Sequence, residues 1–220
     1  MTIALITQRE ITDAHGVSCD CLERSYADYF TAMGISLIPV SNFAQPDDNI
    51  LRQAGLLILT GGGDLSADCY TDDAVSVNEQ KERDETERFL FDYALKHQIP
   101  VLGICRGMQF INAFFGGKTD KNFVCQEKRK CGTDHVIKSA TETLIVNHYH
   151  NDFIKTENLA QNLTPLFFDE ENQTVEIFAC PEKKILAFQY HPERNFTDEA
   201  SKERTQTMIR IFIESKGELV

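Results

Sequence analysis

Short apolar segments alternate with amphipathic segments in the first half of the chain, and this alternation limits the possible folds most strongly. The segments predicted to be strands are residues 2–6, 35–40, 56–60 and 100–104. The segments predicted to be helices are residues 19–33, 79–97 and 106–115. Strands that are apolar throughout are typical of sheets buried on both faces. The pattern therefore predicts an α/β fold, a three-layer α/β/α sandwich with a mostly parallel central sheet.

The second half of the chain is more polar. Residues 117–135 include the basic run 128–130 and predict a loop. Three further strands and a helix are predicted at residues 143–148, 174–180, 184–190 and 198–214. Because neither a repeat nor a low-complexity linker interrupts the pattern, we expect residues 1–220 to form a single domain.

Charge and cysteine content exclude several classes of function. The chain carries 34 acidic and 22 basic side chains, a net charge of −12. Such a field repels nucleic acid and anionic membranes, so neither is an expected partner. Seven cysteines, an odd number, favour reduced thiols over a disulfide framework. The first residues lack the features of a signal peptide, so a cytoplasmic location is expected.

The segment around Cys105 carries the strongest chemical signal. The cysteine lies between a predicted buried strand, residues 100–104, and a helix predicted to begin at Arg106. Gly103 and Gly107 flank it at the spacing of a nucleophile elbow, with cysteine in place of serine. The turn exposes the sulfur at the carboxyl edge of the sheet, and the helix N-terminus favours the thiolate. The alternative, a small buried cysteine without chemistry, fits this spacing less well.

A cysteine nucleophile requires a base and a group that orients the base. His191 follows the last predicted strand, and Glu193 lies two residues further on. Residues two apart in extended chain point to the same side, so this carboxylate can hold the imidazole. A lone histidine would more often be structural. Together with the elbow, the pair predicts a catalytic triad of Cys105, His191 and Glu193.

Three glycines, residues 61–63, follow the third predicted strand. Neighbouring parallel strands would bring this turn to the elbow. The backbone N–H of Gly61 or Gly62, together with that of Arg106, could then form an oxyanion hole. An ordinary turn and a phosphate loop are the alternatives, and a phosphate loop is disfavoured because no Lys-Ser or Lys-Thr pair follows.

Other polar clusters give weaker signals. The metal-ligand types form the pairs Cys19/Cys21 and His148/His150, and the set Cys125, Cys131 and His135. None has the four-ligand spacing of a zinc site, so neither a metal nor another cofactor is predicted. The acidic run at residues 79–87 is typical of a solvated helix face. Arg83 and Asp84 could instead pair locally or brace the glycine turn.

Five motifs in the expected order resemble those of class I glutamine amidotransferases, and within them the γ-glutamyl hydrolase-like branch, the peptidase C26 type. They are LTGGGD at residues 59–64, RDxxE at 83–87, GICRGMQ at 103–109, VNHYH at 146–150 and YHPE at 190–193. The elbow together with His-Pro-Glu is the most specific part. The resemblance covers most of the chain.

The resemblance implies the flavodoxin-like fold of that family and a γ-glutamyl thioester intermediate on Cys105. It also implies that Gln109 and the glycine turn hold the glutamyl head, and that His150 is a pocket histidine. The chain departs from the branch at Asp152, where glutamine is common, and at Ala67, where proline is common. Members of the branch are typically longer, and an attached synthetase domain is not expected.

A narrower resemblance concerns small hydrolases encoded in bacterial capsule loci. It rests on residues 7–9, 62–66 and 150–151. Those hydrolases release glutamate from γ-glutamyl-CDP-amidate and leave a nucleotide phosphoramidate. The resemblance implies a small-molecule substrate whose diphosphate meets Arg9 or the basic run 128–130. A solvated loop is the commoner role of such a run.

Three functions fit these features to different degrees. The first is a free-standing γ-glutamyl amide hydrolase, whose substrates could also include conjugates such as γ-glutamyl-aminobutyrate. The second is a glutaminase subunit that passes ammonia to a separate synthetase. The third is a catalytically silent binding module, which is disfavoured because all three predicted triad residues are present.

Overall fold

The structure is a computed structural model that describes residues 2–71, 78–121 and 131–217. The strands are β1 (Thr2–Thr7), β2 (Arg9–Thr12), β3 (Ser18–Cys21), β4 (Ile35–Val40), β5 (Leu56–Leu59), β6 (Val101–Ile104), β7 (Thr133–Lys138), β8 (Thr143–His148), β9 (Thr164–Asp169), β10 (Thr174–Cys180) and β11 (Ile185–Phe188). The α-helices are α1 (Arg24–Ala32), α2 (Asp48–Leu51), α3 (Lys81–His97), α4 (Arg106–Phe114) and α5 (Glu199–Glu214).

The main sheet has the strand order β4-β1-β5-β6-β11-β10-β9-β7-β8. The first five strands in this order are parallel to their neighbours, and the remaining pairs are antiparallel. Every residue of β5, β6 and β11 is buried, as expected in a sheet covered on both faces. The predicted α/β fold is confirmed.

Two hydrophobic clusters on opposite faces of the sheet define the layers. Ala4 and Ile6 of β1 belong to one cluster, with Tyr26 of α1 and Phe212 of α5. Leu5 belongs to the other cluster, together with side chains of α3 and α4. Since alternate strand residues face opposite sides, α1 and α5 cover one face and α3 and α4 the other. Within the described ranges, every helix falls short of the combined length and apolar character that crossing a membrane requires.

The helix predicted for residues 19–33 begins later than expected. Helix α1 begins at Arg24, and the preceding Ser18–Cys21 forms β3, which pairs with β2 in a hairpin. The Asp13 carboxylate closes this hairpin by accepting hydrogen bonds from two backbone N–H groups of the turn, at 2.8 and 2.9 Å. The apolar period of the helix could not reveal the hairpin, because the polar segment of β3 contributes nothing to that period.

Two strands of the antiparallel part were not predicted. Strand β7 begins inside residues 117–135, which were predicted to be a loop, and it buries only His135 and Ile137. Strand β9 contains Pro165, which lacks an N–H group and weakens the strand signal. The basic run 128–130 lies outside the described residues.

Candidate active site

Cys105 lies at a sharp turn between β6 and α4. Its backbone has φ 54° and ψ −106°, a conformation that costs a non-glycine residue about 1–3 kcal/mol. Its N–H donates to the carbonyl of Phe188 at 2.7 Å, which fixes the turn to β11. A Cβ on Gly107 would lie 2.2 Å from the carbonyl oxygen of Leu59, and one on Gly103 would lie 2.6 Å from a side-chain carbon. Close packing therefore requires both glycines of the elbow.

His191 and Glu193 lie side by side just beyond β11, as predicted. The imidazole Nδ1 is 2.6 Å from Oε1 of Glu193, and both side chains are buried. Asn147 fixes the backbone of His191 twice: its Oδ1 accepts from the His191 N–H (3.0 Å), and its Nδ2 donates to the His191 carbonyl (2.8 Å). This role of Asn147 was not predicted, although the residue belongs to the VNHYH motif.

The electrostatic surroundings of His191 favour its protonated form. Burial alone lowers the pKa of the imidazole, but the charges of Glu193 and Cys105, and its hydrogen bonds to both, raise that pKa to about 10. Among the described residues, Oε2 of Glu193 has no hydrogen-bond partner. His191 is therefore the principal partner of this carboxylate, and it carries a positive charge at neutral pH.

Gly61 brings the elbow and the histidine together. A Cβ on this glycine would lie 2.8 Å from Cε1 of His191 and 3.3 Å from Cβ of Cys105. Both side chains therefore pack directly against the glycine turn. With Nδ1 of His191 engaged by Glu193, Nε2 is the ring nitrogen left for proton transfer.

Arg83 of α3 braces the glycine turn from the protein interior. Its guanidinium donates to the carbonyls of Thr60 (2.6 Å), Gly61 (3.2 Å) and Gly62 (2.7 Å). Its Nε donates to Glu87 at 2.8 Å. Both roles weighed for Arg83 are therefore observed: it pairs locally with Glu87, and it braces the turn.

Glu87 lies between Arg83 and Arg106 and is completely buried. Burial raises the pKa of this carboxyl, but the charges of Arg106 and Arg83 outweigh burial and lower it below its ordinary value. Nη1 of Arg106 is 2.5 Å from Glu87. Removing one partner of such a buried pair typically costs about 3–5 kcal/mol, so the network holds the turn firmly. The expectation of a solvated acidic face at residues 79–87 is wrong for this glutamate.

The structure distinguishes between the two glycines considered as oxyanion donors. The N–H of Gly61 donates to the hydroxyl of Tyr26 at 2.9 Å and is therefore engaged. A trans peptide directs its N–H opposite to its C=O. Because Arg83 holds the carbonyl of Gly61, the N–H of Gly62 points away from Arg83. The N–H of Arg106, at the start of α4, lacks an intrahelical acceptor. Gly62 and Arg106 are therefore the better candidates.

Cys105 and His191 open into a pocket of about 340 Å³. Its lining includes the predicted Arg9, Gly62, Arg106, Gln109 and His150, and also Lys121, Tyr149, Asp152 and Arg194, to which no role was assigned from the sequence. The position of Arg194, directly after the YHPE motif, was the available signal for that residue.

Arg9 and Arg194 share one carboxylate at the pocket wall. Glu23 accepts from Arg9 at 3.1 Å and from Arg194 at 2.8 and 2.9 Å. The Arg194 guanidinium also lies over the ring of Tyr149, 4.4 Å from its centroid. One carboxylate balances only one of the two guanidinium charges. This wall therefore keeps positive charge in a chain that is acidic overall.

Gln109 and His150 are fixed on another wall by the backbone of Asp152. Nε2 of Gln109 donates to the Asp152 carbonyl at 3.1 Å, and Nδ1 of His150 lies 3.0 Å from the same oxygen. Burial lowers the pKa of His150 to about 4, although the charge of Glu176 opposes this shift. The His150 ring is therefore neutral at neutral pH, with its proton on Nδ1.

The fold is that of glutamine amidotransferases, and the family relationship supports an enzyme that acts on γ-glutamyl amides. The model of the peptidase C26 family matches residues 2–193, and the chain belongs to this family. A solved glutamine amidotransferase from Thermotoga maritima superposes with a TM-score of 0.66 at 16% identity, covering 99% of each chain. At this identity the superposition supports the fold alone.

Three curated relatives show the range of the family. The glutamine amidotransferase-like protein YvdE of Lactococcus lactis is 29% identical, over 77% of this chain and 79% of that protein. The γ-glutamyl-CDP-amidate hydrolase of Campylobacter jejuni is 33% identical, over 63% of this chain and 62% of that protein. The match thus spans less than two thirds of the length of the Campylobacter protein. The GMP synthase of Finegoldia magna is 33% identical, over 52% of this chain and 22% of that protein.

Proposed function

We propose that the chain hydrolyses a γ-glutamyl amide by covalent catalysis, with Cys105 as nucleophile, His191 as acid and base, and Glu193 as the group that orients His191. One observation carries this proposal: Cys105, at a strained elbow, and His191, bonded to Glu193 at 2.6 Å, pack against the same glycine. The raised pKa of His191 supports a protonated imidazole at rest, which can give its proton to the leaving nitrogen.

The reaction proceeds in two halves. In the first, the Cys105 thiolate forms a bond to the γ-carbonyl carbon, and the carbonyl oxygen becomes an oxyanion held by the N–H groups of Gly62 and Arg106. The His191 imidazolium gives its Nε2 proton to the leaving nitrogen as the carbon–nitrogen bond breaks. A γ-glutamyl thioester and a free amine or amidate result.

In the second half, His191 is neutral and accepts a proton from water. The resulting hydroxide attacks the thioester carbon, and the carbon–sulfur bond breaks. Glutamate leaves, and the thiolate–imidazolium pair is restored. Glu193 keeps the ring oriented in both halves without accepting the proton itself.

We propose a γ-glutamyl nucleotide amidate, such as γ-glutamyl-CDP-amidate, as the substrate, with a place in the biosynthesis of a capsule phosphoramidate. Two observations support it: the relative from Campylobacter jejuni with that activity, and the positive wall formed by Arg9 and Arg194. Guanidinium groups bind diphosphate oxygens in bidentate geometry. Free glutamine lacks a diphosphate that would occupy this wall.

A panel of substrates tests this assignment. The purified chain is expected to hydrolyse γ-glutamyl-CDP-amidate faster than γ-glutamyl-aminobutyrate or glutamine, measured as glutamate release. Arg9→Met should raise KM for the nucleotide substrate about 10–100-fold, because losing one hydrogen bond to a charged group weakens binding by about that factor. Glutamine turnover should be unchanged. Arg24→Met, which removes an exposed arginine of α1, is the matched control.

The GMP synthase relative favours a second candidate, a glutaminase that delivers ammonia to a synthetase. The same panel separates the two functions. Glutamine as the best substrate, with turnover accelerated by a synthetase partner, would replace the nucleotide assignment and leave the chemistry at Cys105 intact.

Gly61→Ala is expected to lower kcat/KM about 100-fold, because the new methyl group would displace His191 by a fraction of an ångström to about one ångström. The φ of Gly61 lies outside the left-handed region, so alanine causes no backbone strain there. Gly55→Ala is the control, since its Cβ would meet its nearest atom at 3.4 Å. Equal activity of the two variants would contradict the packing of His191 against this turn.

A further inference from the structure

Three buried histidines lie together on the antiparallel side of the sheet, outside the proposed triad. His135, His148 and His150 are 5%, 4% and 6% exposed. Each offers one ring nitrogen, and these nitrogens all lie within 4.8 Å of one another. The rings of His148 and His150 are 4.2 Å apart between centroids, and His135 is 5.6 Å from His148.

Strand pairing brings His135 to the His148/His150 pair, a combination that the spacing in the sequence does not suggest. His135 of β7 pairs with Val146 of β8, so His148, two residues further along β8, is its diagonal neighbour on the same face. His150 lies two residues beyond the end of β8. In the described strands, β7 pairs with β9 at Lys138, away from His135. The side chain of Glu176 on β10 lies next to His135.

The cluster contains buried nitrogens that lack hydrogen-bond partners among the described residues. Nδ1 of His150 is engaged by the Asp152 carbonyl, so Nε2 carries the lone pair, and in the described part of the chain this nitrogen has no hydrogen-bond partner. In the described ranges Nδ1 of His135 also lacks a hydrogen-bond partner, whereas Nε2 has the 3.4 Å contact with Glu176. Leaving such buried groups unsatisfied destabilises the fold, and a bound ligand would offset that cost.

Glu176 supplies negative charge next to the histidines. It is 1% exposed; its Oε1 accepts from Thr174 at 3.1 Å, and its Oε2 lies 3.4 Å from Nε2 of His135. A carboxylate behind an imidazole is the usual outer partner of a metal-binding histidine. Asp169 is also close, but its oxygens accept bonds from the following turn at 3.1 and 2.7 Å.

We propose that His135, His148 and His150 bind a divalent transition-metal ion, with Zn²⁺ the best match, and that Glu176 orients His135 and balances the charge. Imidazole nitrogens suit Zn²⁺ and related ions, whereas Mg²⁺ and Ca²⁺ prefer oxygen. His150 also lines the Cys105 pocket, so a bound ion would fix one wall of that pocket. The site is distinct from the chemistry proposed for Cys105.

Metal titration of the full chain tests the proposal. Cys105→Ala is used as the background, so that the proposed nucleophile cannot bind the ion. After treatment with a chelator, the protein is expected to bind one Zn²⁺ per chain in equilibrium dialysis with elemental analysis. Co²⁺ should give visible absorption bands without the charge-transfer band of thiolate ligation. Zn²⁺ should also raise the Tm.

Variants then locate the ion. His135→Asn and His148→Asn should weaken Zn²⁺ binding by about 100-fold or more, and Glu176→Gln by about 10–100-fold, as found for outer partners of metal ligands. His15→Asn, which removes an exposed histidine distant in sequence from the cluster, should bind Zn²⁺ like the parent protein. Absence of stoichiometric Zn²⁺, a thiolate band with Co²⁺, or unchanged binding in folded His135→Asn and His148→Asn would overturn the proposal. If those variants do not fold, the Co²⁺ spectrum and the Tm shift of the parent decide.

Discussion

Replacing Cys105 by alanine is expected to abolish turnover of every γ-glutamyl substrate while leaving the protein folded. Among the described residues that line the pocket, Cys105 supplies the sole thiol, so a second nucleophile of this type cannot take over. Loss of a nucleophile of comparable role lowers kcat on the order of 10⁶-fold. Steady-state glutamate release, with a coupled assay sensitive enough for that range, is the measurement.

Folding and binding must be followed in the same Cys105→Ala protein. Alanine keeps the Cβ and fills most of the same space, so the circular dichroism spectrum should be unchanged. Substrate should bind with a Kd near the wild-type value, measured by calorimetry without turnover. The matched control is Cys69→Ala, a half-buried cysteine outside the pocket lining. Turnover retained by Cys105→Ala would exclude the thioester mechanism.

In wild-type protein, the thioester itself is the direct evidence. Rapid acid quenching during turnover, followed by mass spectrometry of the intact chain, should detect a mass increase of one γ-glutamyl group. Digestion should locate that group on the peptide containing Cys105. The same quench applied to Cys105→Ala should leave the chain unmodified.

The parts of the site that were predicted from the sequence are local in the chain. The elbow at Cys105 needs only a strand, two glycines and a helix within a few residues, and His191 with Glu193 needs only the two-residue period of extended chain. Local spacing carries such information because backbone geometry is nearly the same wherever the pattern occurs. The alternation of apolar strands fixed the fold class for the same reason.

The parts that were not predicted join residues distant in sequence. The hydroxyl of Tyr26 accepts a hydrogen bond from the N–H of Gly61, 35 residues away in sequence. Asn147 donates to the backbone carbonyl of His191, 44 residues away. Neither side chain has a local feature that indicates its partner. Three-dimensional packing also overrode composition in α3, where Glu87 is buried between two arginines within a run that is acidic and polar.

His191→Ala is expected to lower kcat on the order of 10⁶-fold, and Glu193→Gln by about 10⁴-fold. The difference in size follows from the two roles. Alanine removes the group that donates and accepts the proton, whereas glutamine removes only the charge that orients and stabilises it. The two variants are compared at one pH by glutamate release. A larger loss in Glu193→Gln than in His191→Ala would contradict the proposed roles.

The pH dependence of Glu193→Gln gives a sharper test than the size of its loss. In the wild-type protein burial lowers the pKa of His191, but the charges of Glu193 and Cys105 raise it to about 10, so the alkaline limb of kcat/KM should lie near that pH. Glutamine removes the Glu193 charge and leaves burial in place. The alkaline limb of the variant should therefore move to lower pH.

Stability provides a measurement of the same pKa that does not depend on turnover. Because the folded-state pKa of His191, about 10, exceeds its ordinary value of 6.5, the stabilisation from its charge is complete below pH 6.5. That stabilisation is lost as the pH rises from 6.5 to 10. The free energy of unfolding of wild-type protein should fall across this interval more steeply than that of Glu193→Gln. Parallel curves, together with an unmoved alkaline limb, would mean that Glu193 does not set the protonation of His191. The carboxylate would then have to act by holding the ring in place alone.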